Sequence, residues 1–503
     1  MAKSIKINRY SFKKLKNDAV LKVLNDVAQQ LKVKVYLVGG TVRDLFIKRN
    51  APERIEWDFA VDRGAFKLGK ILAKNLNASY IMLDKKNKTA RLIYTKNKYH
   101  YQLDFTDFRA RTLKEDLRRR DFSINALCCN VQRLIDTKES SNVLIDHFKA
   151  ARDIKAKRIR TVRRQNFKDD PLRILRGFAF CAQFGFKFEP KTLSLIKKNV
   201  DALKTVSAER ICEEMVKIFS ASSSYKQAML MDRYRILDII FPEILTLRGV
   251  DQGLYHHLDV WGHSLESLAQ LERLLRDLPR KIPAVYVHKI HAYLKQEVAS
   301  NRSRLWLLKL ACLFHDIGKP KTRFAADDGK IHFYTHEKVG AQMIAHIGRR
   351  LKLSRKEMNM LKMMVLYHLR AGQLVNRMPT EKAKFRFFRD TQDDAGSILL
   401  LTIADRWAMR GVLSKKKSFI FLEKEIFNMI IAFFKGEEKA QKAPRLLNGN
   451  DLQLLLKIPP GPLVGKILDE IDEAQGLKDI KTKNEAKELA LHVFKQKCTL
   501  LPA

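Results

Sequence analysis

The rhythm of apolar and polar positions changes near residue 150. Before it, short apolar runs alternate with turn residues. Val35-Tyr36-Leu37-Val38 stops at Gly39-Gly40, a helix start follows over Thr41–Ile47, and strand-like runs recur at Trp57–Val61, Tyr80–Leu83, Arg91–Tyr94 and Tyr99–Phe105. The segment Asp116–Leu127 runs from a basic cluster into an apolar, helix-like stretch. Beyond residue 150 helical periodicity dominates, with few strand signals. Asp170-Pro171-Leu172 predicts a helix opening, Asp as cap and Pro at the first position, with Leu172, Leu175 and Ala179 along one face. A charged stretch over 275–305, with Pro279, Pro283 and Asn301, predicts an insertion or linker. Another, Lys435–Pro444, precedes a helical tail. The pattern predicts an α+β chain: an α/β head over 1–150, then mostly helical sequence, with a helical tail over 436–503.

Composition narrows the class. The 503 residues include 97 Lys plus Arg against 55 Asp plus Glu, a formal charge of +42. So large an excess opposes compactness and points to a polyanionic partner, nucleic acid first. No stretch reaches the ~18 apolar residues that cross a bilayer, and the basic N-terminus lacks the apolar core of a secretory signal. The six cysteines form no Cys-x-x-Cys pair and mostly sit in apolar runs, which predicts buried thiols in a cytoplasmic protein rather than disulfides or a zinc ribbon.

Candidate chemistry begins at Gly39-Gly40-Thr41-Val42-Arg43-Asp44, followed by Glu56-Trp57-Asp58. Residues at i and i+2 of a strand share a face, so Glu56 and Asp58 present paired carboxylates. That pair suits Mg²⁺, which takes one or two carboxylates plus substrate phosphates. Two glycines before a helix let the backbone approach a triphosphate, whose charge Arg43 can hold. These parts together suit phosphoryl transfer.

Five segments in order, Leu37–Asp44 (LVGGTVRD), Glu56–Val61 (EWDFAV), Arg118–Leu127 (RRRDFSINAL), Asp169–Arg176 (DDPLRILR) and Ala208–Glu214 (AERICEE), resemble the bacterial-type, class II tRNA nucleotidyltransferase and poly(A) polymerase family. The resemblance implies a nucleotidyltransferase head over 1–150 and a helical neck and body over 151–250. It assigns Gly39, Gly40 and Arg43 to the nucleotide's phosphates, Glu56 and Asp58 to Mg²⁺, and Arg120 to nucleotide binding. The family usually has Asp at the place of Glu56, and Asp62 or Asp104 is a further carboxylate of the same domain. Asp169 stands where the family has Glu, and Ala179 where it often has Arg.

In the fourth segment, Asp170 only accepts and Arg173 only donates. Cytosine and adenine both place an exocyclic amine beside a bare ring nitrogen, so the pair complements C and A and leaves U and G with opposed groups. Arg176, one turn on, is a phosphate or base contact. Glu209 and Arg210 brace the template helix. The short segment between Asp104 and the basic cluster, in family terms, raises partial activity (CC- or A-addition) beside full CCA addition, and poly(A) synthesis shares the motifs.

A second constellation runs through His257-Leu258-Asp259 to His263, then His315-Asp316, His336, His368 and Asp405. Adjacent His and Asp in an apolar helix are costly to bury without a partner, and a divalent metal removes that cost. The series resembles the HD phosphohydrolase superfamily. That implies an HD domain over 251–435 with His263, His315, Asp316 and Asp405 binding Mn²⁺, Ni²⁺ or a similar ion, and His336 and His368 completing a second position. Expected partners are a tRNA 3′ end, CTP and ATP, without a membrane. An HD phosphohydrolase with a degenerate RNA-binding head is the competing expectation.

Overall fold

Seven short strands, most with one face turned inward, hydrogen-bond into a mixed sheet at the start of the chain. They are β1 (Val35–Val38), β2 (Arg54–Val61), β3 (Ser79–Asp84), β4 (Thr89–Lys96), β5 (Tyr99–Asp107), β6 (Cys128–Asn130) and β7 (Leu144–Ile145), in the order β3-β4-β5-β2-β1-β6-β7. Only β2 and β5 run parallel; every other neighbour is antiparallel. Along β2, Trp57 and Phe59 turn into the core, whereas Glu56 and Asp58 face outward. Phe59 stacks on Phe105 of β5, centroids 4.8 Å apart, which pins the parallel register beneath the carboxylates.

This computed structural model describes residues 9–47, 54–137, 143–375, 379–410, 416–436 and 444–498. The chain divides into two units, Met1–Ile218 with Tyr234–Ile239, and Phe219–Arg233 with Ile240–Ala503. The first is the α/β head and its helical continuation. Its helix α1 (Gly40–Asp44) is shorter than the sequence pattern suggests, and α2 (Arg173–Phe184) begins one turn after Asp170. Leu172, Leu175 and Ala179 are buried as expected. Gly177 lets α2 approach its neighbours: a Cβ there would lie 2.7 Å from Phe188 and 2.8 Å from Phe122.

The apolar stretch ending at Leu127 is not a helix. It is a 3₁₀ turn, Ser123–Asn125, leading into β6. Every residue from Phe122 to Cys129 is buried, and a strand covered on both faces shows no alternation to distinguish it from a buried helix.

The second unit is helical: α3 (Val260–Asp277), α4 (Ala284–Lys295), α5 (Arg304–Phe314), α6 (His336–Arg350), α7 (Arg355–Val375), α8 (Glu381–Thr391), α9 (Ala395–Ala408) and α10 (Lys416–Lys435). Helices α5 and α9 are buried nearly all round and form its centre. The stretch over 275–305 is no linker. Its prolines open a 3₁₀ turn and α4, and Glu297–Ala299 pairs with Arg302–Ser303 in a hairpin. Most of Lys435–Pro444 lies outside the described residues. The tail folds as helices Gly449–Leu456, Pro462–Gly476 and Lys483–Cys498 around Leu452, Ile467, Ile471 and Ala490. Cys128, Cys129, Cys181, Cys212 and Cys312 are free and buried, and no described helix is long and apolar enough to cross a membrane.

Two candidate active sites

In the first unit a cleft of about 490 Å³ opens beside the β2–β5 pair, and its lining gathers Gly39, Gly40, Asp58, Asp104, Arg120 and Arg173. Parallel pairing puts Asp58 directly opposite Asp104. Arg91 from β4 holds Asp104 in a two-bond fork, 2.8 and 2.7 Å. Burial in the cleft raises the pKa of Asp58; the Arg120 charge opposes this, and Asp104 and Glu56 reinforce it. Three carboxylates drawn together, with Arg91 on Asp104 and the Arg120 charge near Asp58, are a donor set that a hard divalent cation fits, since the cation relieves the remaining repulsion. Glu56 shares the outward face of β2, but the described cleft lining takes Asp58 and Asp104 rather than Glu56. Asp62 sits past the end of β2, accepting from the Lys34 N–H at 2.9 Å, away from the lining.

Gly39 has φ +75°, and a Cβ there would meet Arg120 Nη1 at 3.1 Å and Asp58 Oδ2 at 3.5 Å. The turn needs glycine both for its backbone and for the close approach. Arg43 and Arg176 line the same cleft but are anchored from behind. Arg43 donates from Nε to Asp44 and from Nη1 to Asn125, each 2.9 Å, and its guanidinium lies 4.4 Å from the Phe184 ring centroid. Arg176 donates to Asp121 Oδ2 from Nε at 2.9 Å and from Nη2 at 2.8 Å. Asp121 Oδ1 in turn accepts from the Phe122 N–H and from Asn125 Nδ2. Burial pushes the Asp121 carboxyl upward, but the Arg176 charge and these hydrogen bonds outweigh it, so its pKa is lowered.

Asp170 and Arg173 line the same cleft. Asp170 accepts from Arg210 Nη2 at 3.2 and 3.0 Å, so Arg210 braces the acid itself. Asp169 turns to Arg163 and stays out of the described lining. Arg173 has its Nη1 buried with no hydrogen-bond partner, and burial lowers its pKa. An orphaned donor at a cleft wall calls for an acceptor from a ligand. Sequence reasoning did not find Arg91, nor the Asp121–Asn125 link that ties two arginines together. The Asp121/Asn125 spacing alone would also suit an ordinary turn.

The second unit gathers all six residues of the His/Asp series. His263 comes from α3, His315 and Asp316 follow α5, His336 opens α6, His368 lies in α7 and Asp405 in α9, and all are buried. His263, His315 and Asp405 form one ligand trio, and Asp316, His336 and His368 another. Within each, two imidazole Nε2 atoms face each other, at 3.3 Å for His263–His315 and 3.4 Å for His336–His368. Ligand nitrogens about 2.0–2.1 Å from one tetrahedral ion lie about 3.3–3.4 Å apart, so the spacing fits a metal between them.

Hydrogen bonding fits as well. His315, His336 and His368 each set Nδ1 against a backbone carbonyl three residues earlier, at 3.0, 2.7 and 2.7 Å, which turns the Nε2 lone pairs inward. The carboxylate of Asp316 spans the trios, Oδ2 lying 3.2 Å from His315 and Oδ1 3.3 Å from His336. Lys319 Nζ steadies Asp316 at 2.7 Å. Burial would lower the pKa of His315, but the Asp316 and Asp405 carboxylates push it up to about 10. His257 is not in either trio; its neighbour His256 instead packs edge-on against His263, centroids 4.6 Å apart.

Three segments of the chain match known families, with Asp170, Arg173 and Arg176 lying between the first two. Residues 35–160 match the poly A polymerase head domain, 185–247 the probable RNA and SrmB-binding site of polymerase A, and 260–406 the HD domain. The chain is 30% identical over 383 residues to an A-adding tRNA nucleotidyltransferase of Deinococcus radiodurans, covering 75% of this chain and 78% of that protein. It is 28% identical over 462 residues to a CC-adding tRNA nucleotidyltransferase of Thermus thermophilus, covering 90% and 92%. A solved CCA-adding enzyme in complex with ATP superposes with a TM-score of 0.64 over 98% of this chain and 100% of that one. At 20% identity that likeness is one of fold.

Proposed function

The chain belongs to the tRNA nucleotidyltransferase family, and on that footing we propose that it is a template-independent nucleotidyltransferase adding C and/or A from CTP and ATP to tRNA 3′ ends. The observation that carries this is the cleft: Asp58 and Asp104 face each other across β2 and β5, and Asp170 and Arg173 line the same space. Mg²⁺ bound by Asp58 and Asp104, with Glu56 beside them, would help ionise the attacking hydroxyl and offset charge on the departing pyrophosphate. The primer 3′-oxygen attacks the α-phosphorus, the bond from the α-phosphorus to the bridging oxygen breaks, and pyrophosphate leaves. Gly39 and Gly40 admit the triphosphate close to the backbone. Arg43, Arg120 and Arg176 supply fixed positive charge. Asp170 accepts from the exocyclic amine of C or A, and Arg173 donates to the neighbouring ring nitrogen.

Within CCA, CC and A addition, one feature favours a partial product. The link from the end of β5 at Asp107 to the helix starting at Leu113 is short, which favours addition of C alone or A alone. The test is end-sequencing of tRNAs that begin without CCA, with CC or complete, incubated with CTP and ATP separately. One substrate state extended by one nucleotide type supports partial addition; extension through the whole CCA defeats it. Asp58→Asn abolishes incorporation while tRNA binding persists, and turnover near the unmodified level removes the cleft from the chemistry. Within this reading the divisions near residues 150, 250 and 435 separate head, neck and body, HD and tail, and the protein works in the cytoplasm.

The six converging ligands favour a second activity, hydrolysis of phosphates at RNA 3′ ends by the HD unit with Mn²⁺, Ni²⁺ or a similar ion. Metal there would supply an activated water and screen the phosphate. His263, His315 and Asp405 would hold one ion, His336 and His368 a second, and Asp316 would bridge. His315→Ala removes the hydrolysis and leaves nucleotide addition intact. Loss of both activities would favour a single HD-based function with a degenerate head.

A further inference from the structure

We propose that a cavity in the second unit, bounded by α4, α8 and α10 and separate from the six metal ligands, binds a nucleobase carrying phosphate, met either as a free nucleotide or as one residue of an RNA strand. Its volume is about 700 Å³, in the middle of the range for small-molecule sites, about 300–1,000 Å³.

Three observations converge on that ligand. The walls are aromatic. Phe388 and Phe433 lie nearly parallel, 16° apart, with centroids 6.4 Å from each other, at the wide end of direct ring stacking. Phe385 and Phe434 complete the apolar lining, so a planar base finds ring faces and edges on several sides. The lining is also basic: it holds Lys289, Arg304, Arg389 and Lys435 with Asp393, and Asp394, Asp390 and Asp469 pair with its two arginines. Two of these cations fix the frame. Lys289 Nζ holds the Phe434 carbonyl at 2.7 Å, and Arg304 Nη1 bonds Asp394 at 2.7 Å and the Tyr293 hydroxyl at 3.2 Å. Arg389 bonds Asp390 through Nε at 2.9 Å and stands 4.0 Å from Asp469 through Nη1, and its remaining N–H groups are the donors placed for a phosphate.

The third observation is backbone strain. Gln392, in the cavity lining, has φ 45° and ψ −128°, a conformation suited to glycine. Its N–H caps α8 on the Phe388 carbonyl, and the next carbonyl, of Asp393, accepts from the Tyr293 hydroxyl at 2.7 Å. The surroundings thus enforce a costly geometry on a residue whose amide can both donate and accept, as reading a base edge requires. A packing gap needs neither the amide nor the strain.

The test is equilibrium binding of two probes to the full chain, fluorescent ATP and a labelled ten-nucleotide RNA, with Arg389→Glu, Gln392→Gly and, as a control for bulk charge, the exposed Lys466→Glu. Both site variants should weaken one class of binding site at least tenfold, the control less than twofold, and nucleotide incorporation should stay within twofold. Gln392→Gly should also raise the melting temperature, because glycine relieves the strain. Variant-sensitive ATP binding identifies a free nucleotide, and sensitivity of the RNA probe alone identifies a strand residue. If neither probe responds more than twofold to either folded variant, the proposal is overturned.

Discussion

Replacing Asp121 by Asn isolates what the anchoring network contributes, because both oxygens of Asp121 are taken by Arg176, Asn125 and the Phe122 N–H. The change keeps an oxygen for the Phe122 N–H but removes the charge that receives Nε and Nη2 of Arg176 at 2.9 and 2.8 Å. Stranding one partner of a fully buried pair costs about 3–5 kcal/mol. The Arg176 side chain retains 38% of its exposure, so the freed guanidinium regains some hydration, and about 2–3 kcal/mol is the expected loss. The pH dependence has a definite sign. The folded pKa of Asp121 is depressed, so its stabilisation is present above the unfolded value of about 3.9 and lost as pH falls toward the folded value. The difference between parent and variant should be flat from about pH 7 to pH 5 and shrink below about pH 4. A chain of two units does not unfold in one step, so the measurement is urea unfolding read by ¹⁹F resonances of 5-fluorotryptophan. Of the four tryptophans, Trp57 alone lies in the first unit. Loosening Arg176 and, through Asn125, Arg43 should lower kcat/KM about 10- to 100-fold, equally for CTP and ATP. A loss under about 1 kcal/mol at pH 7, the same loss at low pH, or an effect on one nucleotide only would refute the network.

Gly39→Ala forces a side chain into positive φ and against Arg120; the strain of about 1–3 kcal/mol should appear in the Trp57 unfolding midpoint, with nucleotide incorporation nearly abolished. Asp104→Asn should raise the Mg²⁺ concentration for half-maximal incorporation more than Glu56→Gln does, because Asp104 lines the cleft; a larger effect at Glu56 would restore the Glu56–Asp58 pair as the main ligands. Elemental analysis of metal-loaded protein should find two equivalents in the HD unit, falling to one in His368→Ala; one equivalent in the parent would argue against a bridging Asp316. Chelation followed by Mg²⁺ alone should restore nucleotide addition before phosphoester hydrolysis.

Much of the head was legible because its strands carry a solvent-facing side. Alternation in Glu56-Trp57-Asp58-Phe59 predicted which carboxylates share a face, and the fold keeps them there. Strand β6 was not legible, because Phe122 to Cys129 is buried throughout and uniform burial erases the period that separates strand from helix. Asp104 could only be an alternative to Asp62: one strand's pattern does not reveal its neighbour, and only the β2–β5 register places Asp104 opposite Asp58. The His/Asp series was legible as a set because burying those residues is costly. Asp316 was expected with His263, His315 and Asp405 but groups with His336 and His368, because its place depends on how the helices converge, which spacing along the chain does not encode.

Ala179 shows how the departures from the family pattern fit together. The sequence suggests a lost phosphate contact there, yet the side chain is only 2% exposed and faces the core of the first unit. A guanidinium at that point of α2 would be buried rather than aimed into the cleft. The next residue on the helix, Phe180, faces the cleft instead, with Arg43 and Arg176 at 5.6 and 5.7 Å from its ring. An aromatic face between two anchored arginines holds them by cation–π attraction and keeps their mutual repulsion from splaying them apart. Charge that a third arginine would add is thereby exchanged for better placement of two. Positioning matters more than total charge at a site where the phosphate must sit in line with the attacking hydroxyl.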